Sequence, residues 1–189
     1  MSLRAMNAIT LWLPRRLKRF AGDRRGVSAV EFALVAPVMI ALYLGMVEVS
    51  DGIAADRKVS LAASTLANLA AQYTTISTGD MDNILDASSA IIVPYSASNL
   101  SMTVTCLNID SNKNVTAKWS VGRNAAALSG TVSIPTDLKV PGQLILAEVS
   151  YAYTPIVGYT ITGTLNMSDR MYMAPRISAP DYNGTACAS

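Results

Sequence analysis

A long apolar run near the N-terminus constrains this chain more than any other feature of its sequence. Residues 32–47 read FALVAPVMIALYLGMV, sixteen positions without a charge. Extending the run back to Val27 admits only Ser28 and Glu31 and gives 21 residues. About 20 apolar residues in a helix cross the hydrocarbon core of a bilayer. The pattern therefore predicts a transmembrane helix over residues 27–50.

The charges of the chain are unevenly distributed around this run. Residues 1–26 carry seven basic side chains and one acid, whereas residues 27–189 carry eight basic and twelve acidic groups. Basic residues in front of an apolar segment hold the N-terminus in the cytoplasm. The leader, residues 1–26, is therefore expected to be cytoplasmic. Nucleic-acid binding by the leader is the alternative, and it is disfavoured because no folded basic surface accompanies the leader.

The chain has two cysteines, Cys106 and Cys187, and no histidine. Both cysteines follow the predicted span, so they would face an oxidising compartment in which disulfides persist. One intramolecular disulfide is the simplest prediction, and two unpaired thiols are the alternative. Without histidine the usual general base is missing, and two distant cysteines make no zinc site. We therefore expect no enzymatic activity, no metal and no cofactor.

Helical periodicity continues beyond the apolar run. Apolar residues recur there at spacings of three and four, the pattern of an amphipathic helix: Val59, Ala62, Leu66, Leu69 and Tyr73. One helix is predicted from about residue 28 to residue 73, with its amphipathic part assigned to residues 51–77. This stripe is expected to cover a globular domain or a neighbouring subunit.

Residues 78–189 are predicted to form a separate domain. Asp80 is the expected N-cap of a short helix that runs to about Ile91. Alternating apolar residues between turn signals predict five strands, at residues 100–107, 115–121, 144–153, 158–167 and 170–174. In the second of these strands, four residues are predicted to share one face: Val115, Ala117, Trp119 and Val121. The fold class is α+β, with a long N-terminal helix, a short second helix and a small antiparallel sheet.

The segment RRGVSAVEF, residues 24–32, places Gly26 before the apolar run and Glu31 five positions later. A carboxylate at the centre of a span costs about 2.5–3.5 kcal/mol on insertion scales, so even near the boundary Glu31 needs a partner. Cleavage after Gly26 would create an α-amine at Val27, largely cationic at neutral pH. That amine would be the i, i+4 partner of Glu31 in the same helix, or the partner of Glu31 in a packed neighbour. An ordinary anchor with an incidental Glu is the alternative.

These residues resemble the processing site of type IV prepilins. The stretch GVSAVEFALVAPVMIALYLG is similar to the TadE/TadG-like minor pilins, or pseudopilins, of the Tad (tight adherence, Flp-type) pilus system. So are the helical segment DRKVSLAASTLANLAAQ and, more loosely, LILAEVSYAYTPI and MYMAPR. The resemblance implies that Gly26 precedes the scissile bond, that Val27 is the mature N-terminus and that Glu31 is the assembly carboxylate.

The resemblance also implies a location and partners. The chain would be a single-pass protein of the bacterial inner membrane, with a periplasmic C-terminal domain that can enter an extracellular pilus. Its partners would be a prepilin peptidase, other Tad pilins, the Tad inner-membrane assembly machinery and the lipid bilayer, with no nucleic acid. Major Flp pilins are very short, so a globular domain of this size favours a minor component in pilus assembly, adhesion or secretion.

Two other functions remain open at the level of sequence. One is a periplasmic binding or sensing module on a simple anchor. The other is a secreted protein released near Ile53-Ala54-Ala55.

Overall fold

The computed structural model describes residues 24–155 and 163–187. Its two α-helices are α1 (Arg24–Ala70) and α2 (Thr78–Ser89). Its strands are β1 (Thr75–Ile76), β2 (Leu100–Ile109), β3 (Val115–Arg123), β4 (Gly130–Thr131), β5 (Gly142–Tyr153), β6 (Leu165–Met173) and β7 (Asp181–Tyr182). The α+β class predicted from the sequence is confirmed.

Helix α1 confirms the predicted long helix, which is described from Arg24 onward and ends at Ala70, a few residues earlier than expected. Pro37 lies inside α1 and the helix continues on both sides of it. Proline removes one backbone hydrogen bond, and helices in membranes tolerate this loss when local adjustments satisfy the freed carbonyl group.

The chain divides into two compact units between Val47 and Glu48. In the first unit the structure describes only residues of α1, and their apolar side chains are exposed. Among the described residues, α1 is the one helix long and apolar enough to cross a membrane, and its most apolar 18-residue stretch contains no buried residue. By length and composition this part of α1 suggests a single-pass membrane anchor.

The second unit packs the remainder of α1 and α2 against a five-stranded antiparallel sheet of order β4-β3-β2-β5-β6. The predicted amphipathic stripe is part of this core: Val59, Ala62 and Leu66 are buried, and Leu69 and Tyr73 pack against them. The sheet contributes alternate residues of its two central strands to the same cluster, namely Leu100, Met102, Val104, Cys106, Ile145, Ala147 and Val149. The stripe therefore covers the domain's own sheet.

One prediction about strand faces is wrong. The registers of β2 and β3 shift between Cys106 and Leu107, which leaves Lys118 as an extra residue in β3. A bulge of one residue reverses the alternation of side chains between the two faces. Trp119 therefore lies in the main core, whereas Val115 packs in a second cluster on the opposite face of the sheet.

The N-cap of α2 also differs from the prediction. Ser77, not Asp80, precedes the helix, and the two residues form a capping box. The Asp80 amide donates to Ser77 Oγ at 3.2 Å, and the Ser77 amide donates to Asp80 Oδ2 at 3.0 Å. The hydrogen bond from the Ser77 hydroxyl, followed by that from its amide, lowers the pKa of Asp80. Asp80 suits its observed position, the third residue of the helix, as well as the predicted N-cap, because acids are favoured throughout the first turn of a helix.

The strands predicted at residues 100–107, 115–121 and 144–153 correspond to β2, β3 and β5. At the C-terminal end of the sheet the structure has one continuous strand, β6, where the sequence predicted two, and residues 158–162 of the first lie outside the described residues. The two faces of β5 pack in different clusters: Ile145 lies in the main core, and Leu146 lies in the second cluster.

The segment after β6 is tied to the C-terminal end of α1. The Arg176 amide donates to the carbonyl oxygen of Ala71 at 3.0 Å, and β7 pairs in parallel with β1. Cys106 and Cys187, which are separated by 81 positions in sequence, form a disulfide in the structure, with their Cα atoms 5.9 Å apart. Both cysteines are fully buried.

Removal of this disulfide is expected to destabilise the domain. In the chain-entropy model, closing a loop of this length contributes about 4–5 kcal/mol. We expect urea titrations to show that the free energy of unfolding of the Cys106→Ala/Cys187→Ala variant is lower than that of wild type by a large part of this contribution. Wild-type protein whose disulfide has been reduced should show a similar decrease. A non-reducing mass that shows both thiols free would contradict the bridge.

Candidate functional site

Gly26, Val27 and Glu31, which the sequence singled out, lie near the N-terminal end of the described part of α1. The peptide bond between Gly26 and Val27 is part of this helix. A Cβ atom at Gly26 would meet no described atom within 4 Å. The backbone beside the bond is therefore unobstructed by the described part of the chain.

Glu31 is exposed and lies one helical turn after Val27 on the same face. It makes no ion pair with any side chain that the structure describes. Its surroundings on the helix surface are apolar and exposed, among them Val27, Val30 and Leu34. In the described part of the chain, no cationic side chain therefore compensates the charge of the Glu31 carboxylate.

Three tyrosines of the second unit, Tyr95, Tyr151 and Tyr153, form a cluster that the sequence did not predict. The ring centroid of Tyr95 lies 6.2 Å from that of Tyr151 and 5.9 Å from that of Tyr153, the latter pair meeting edge to face. The Tyr95 hydroxyl donates to the backbone carbonyl oxygen of Asp51 in α1 at 3.0 Å. Gly52 of α1 lies beside this cluster, since a Cβ atom there would be in ordinary van der Waals contact with the Tyr153 ring at 3.9 Å.

A lysine of α1 supports the same region. Lys58 Nζ donates to the carbonyl oxygens of Ile91 at 3.1 Å and Val93 at 2.7 Å. Ile91 and Val93 lie 33 and 35 positions after Lys58 in sequence, so no local sequence pattern predicts these hydrogen bonds. The only sequence signal is the alternation of Tyr151 and Tyr153 in a strand, which places both rings on one face.

The sheet face opposite α1 carries a polar cavity of about 310 Å³. Two cross-strand rows contribute to its lining, one of Ser101, Ser150 and Ser168 and the other of Thr103, Glu148 and Arg170. Glu148 Oε1 lies 2.6 Å from Arg170 Nε, so these two charges neutralise each other. Within residues 24–155 and 163–187, no three His, Cys, Asp or Glu side chains are grouped to hold a metal ion.

Comparison with known protein families gives one match. The model of the family described as TadE-like protein matches residues 26–68. The matched segment begins at Gly26, includes Glu31 and continues through the apolar part of α1 into its amphipathic part. No curated protein and no solved structure matches the chain.

This match places the N-terminal segment in a class, that of TadE-like sequences, and confirms the resemblance read from residues 24–50.

Ionisation of Tyr153 is expected to destabilise the domain at high pH. Burial, and next the negative charge of Asp51, raises the pKa of Tyr153 above its ordinary value of 10.0. Stability from the neutral phenol is therefore complete below the unfolded-state pKa and is lost as pH rises through the folded-state pKa.

We expect Tyr153→Phe to unfold at higher pH than wild type in circular dichroism titrations between about pH 8 and 12. Tyr172→Phe is the matched control, because Tyr172 packs in the second cluster of the sheet. If Tyr153→Phe and wild type unfold with the same alkaline midpoint, the prediction that ionisation of Tyr153 destabilises the domain is contradicted.

Proposed function

We propose that this chain is a minor pilin or pseudopilin of a Tad-type pilus, cut after Gly26 by a prepilin peptidase and used in pilus assembly, adhesion or secretion. The observation that carries the proposal is an exposed apolar helix whose TadE-like match begins at Gly26 and includes Glu31. The basic leader supports a cytoplasmic N-terminus in the inner membrane. The disulfide supports an oxidising compartment, the periplasm, for the second unit.

The exposed side chains of α1 explain why a membrane is needed. Burying one large aliphatic or aromatic side chain contributes about 1.5–3 kcal/mol. More than ten such residues are exposed between Val27 and Val47. A surface of this kind is stable in lipid or against other apolar helices. The uncharged run of sixteen residues is about 24 Å long as a helix, and its extension to Val27 approaches the full hydrocarbon thickness.

Cleavage would change the charge balance at the start of α1. Hydrolysis of the bond between Gly26 and Val27 consumes one water, leaves a carboxylate on Gly26 and creates an α-amine on Val27. The departing leader removes seven basic groups and one acid. The new amine, cationic at neutral pH, pairs with Glu31 of the same helix or of a neighbouring subunit. The second pairing also fixes the stagger between two subunits.

The second unit supports a minor position in the pilus. It holds the sheet, α2 and a buried disulfide, which is far more than a helical shaft subunit needs. We propose that this domain is displayed outside the membrane while the first unit packs laterally with other Tad pilins. Its contacts with the Tad inner-membrane assembly machinery are part of the same proposal.

A second candidate function is a periplasmic binding or sensing module on a single-pass anchor. The polar cavity on the open face of the sheet favours it, since its volume of about 310 Å³ is at the lower end of small-molecule sites. The two functions differ in processing, because a simple anchor keeps its leader.

The mature N-terminus distinguishes these functions. We expect mass spectrometry of the protein from its native membrane to show Val27 as the first residue. Gly26→Val should block cleavage, because a branched side chain then precedes the scissile bond, whereas Gly22→Val in the same leader should not. A chain that starts at Met1 or Ser2 would indicate the simple anchor, and a start near Ala55 the secreted form.

Glu31 is expected to act in assembly and not in insertion. Glu31→Ala should reach the membrane in normal amounts, because the apolar run is unchanged. Its incorporation into pili should fall by about tenfold, the change that a loss of roughly 1.4 kcal/mol produces. Sheared pili and membranes are compared by immunoblot, with Ser28→Ala as the control for a polar residue of the same helix. Wild-type incorporation of Glu31→Ala would show that the carboxylate is dispensable.

A further inference from the structure

A short segment after β3 builds one wall of the polar cavity on the open face of the sheet. Residues 124–128 pass so close to β3 that a Cβ atom at Gly122 would clash with the carbonyl oxygen of Ala125. At the two ends of the segment, Asn124 Nδ2 donates to a carbonyl oxygen of β2 and the Leu128 amide donates to a hydroxyl oxygen of β3, both at 2.9 Å. Hydrogen bonds to the sheet therefore hold this wall in place.

Thr103 lines the cavity from the central strand β2. It is only 4% exposed, yet no hydrogen bond joins its hydroxyl group to another residue in the described part of the chain. Every fully buried side-chain oxygen of the described residues has a partner, so the Thr103 hydroxyl is open to the space of the cavity. A nearly buried hydroxyl group without a partner is costly. Its partner must therefore come from a molecule in the cavity.

The charged pair of the cavity also has hydrogen-bonding groups to spare. Glu148 Oε1 is bound by Arg170 Nε, which leaves Glu148 Oε2 and the terminal nitrogens of Arg170 without a partner among the described residues. These two side chains are 22% and 63% exposed, respectively. Ser150 and Ser168 add two hydroxyl groups from the neighbouring row, also without a described partner. The carboxylate oxygen accepts, the guanidinium nitrogens donate and the hydroxyl groups do both.

These groups restrict the chemistry of a ligand. Among the described residues that line the cavity, none is aromatic and Val149 is the one large aliphatic residue, so an apolar ligand finds little to pack against. Asp169 adds a second carboxylate to the lining. An anionic ligand would thus meet two acids and one base. Donors and acceptors lie side by side in the lining, which favours a neutral ligand whose own groups both donate and accept.

We propose that this cavity binds a neutral polyhydroxylated ligand, the size of one monosaccharide unit. Each sugar hydroxyl group can donate to Glu148 Oε2 or accept from Arg170, and it can do either with Thr103. The cavity volume of about 310 Å³ is enough for one such ring and not for a long chain. The inference rests on the proposed function only for its use, in adhesion or in sensing. Binding itself is independent of cleavage after Gly26.

Saturation-transfer difference NMR tests the cavity with defined probes. The full chain is kept in deuterated phosphocholine micelles, because detergents with sugar headgroups would compete. The neutral probes are D-glucose, D-galactose, D-mannose and N-acetyl-D-glucosamine, each also as its methyl α-glycoside. D-glucuronate and D-galacturonate are the anionic matches of two of them. We expect saturable binding of at least one neutral sugar, and weaker binding of the uronates because of the two carboxylates in the lining.

The methyl glycosides distinguish two sources of the same ligand chemistry. A methyl glycoside that binds as tightly as its free sugar would indicate the terminal unit of a surface glycan. Binding of the free sugar alone would indicate a soluble ligand.

Two variants connect binding to the lining. Thr103→Val removes one hydroxyl group at nearly constant volume and breaks no described hydrogen bond, so the fold should be kept. We expect its dissociation constant for the sugar to rise about three- to tenfold. Arg170→Lys keeps the charge beside Glu148 but loses the fork of donors, and should weaken binding similarly. Thr116→Val is the matched control, because it makes the same change in β3 outside the lining and should bind as wild type does.

The outcomes separate this inference from the proposed function. Absence of saturable binding by all the neutral probes would overturn the inference, and so would tighter binding of a uronate than of its neutral match. Equal weakening by Thr103→Val and Thr116→Val would place the binding elsewhere and overturn it as well. None of these results alters the mature N-terminus, which tests the pilin function. A chain that starts at Met1 would in turn leave sugar binding unchanged.

Discussion

The second unit depends on the contact between the small-residue face of α1 and the sheet. Alanine fills most of the buried positions of α1, at Ala55, Ala62, Ala63, Ala67 and Ala70. Val59 and Leu66 lie among these alanines, and all seven side chains belong to one buried cluster with residues of β2 and β5. The segment after β6 bonds to Ala71 at the C-terminal end of this helix, and residues 91–95 between α2 and β2 bond to Lys58 and Asp51 within it.

A change of pattern inside α1 marks where its surroundings change. Up to Val47 the helix is apolar around its circumference and its side chains are exposed. From Glu48, which is buried, its apolar residues narrow to one face. An all-round apolar surface requires lipid or other helices, whereas a stripe requires only one packing partner. The two parts of this one helix thus need different surroundings. The boundary between the two compact units falls where the pattern of apolar residues changes.

The features predicted well from the sequence are those with a local pattern. The apolar run, the stripe of α1 and the alternation in β2 each depend on residues close in sequence. One of the errors arises where distant pairing decides. The bulge at Lys118 follows from the register with β2. The hydrogen bonds of Lys58 and Tyr95 join residues 33 to 44 positions apart, so sequence periodicity could not predict them.

Under the proposed function, the exposed apolar side chains of α1 do not by themselves favour a filament over the membrane. Lipid covers those side chains before assembly and neighbouring helices cover them afterwards, so the free energy of burial is similar in both states. Glu31 distinguishes the two states, because an acyl chain offers no counter-charge whereas the α-amine of an adjacent subunit does. A single carboxylate can therefore direct assembly on a surface that otherwise has no preference. Removal of the leader is what makes that counter-charge available.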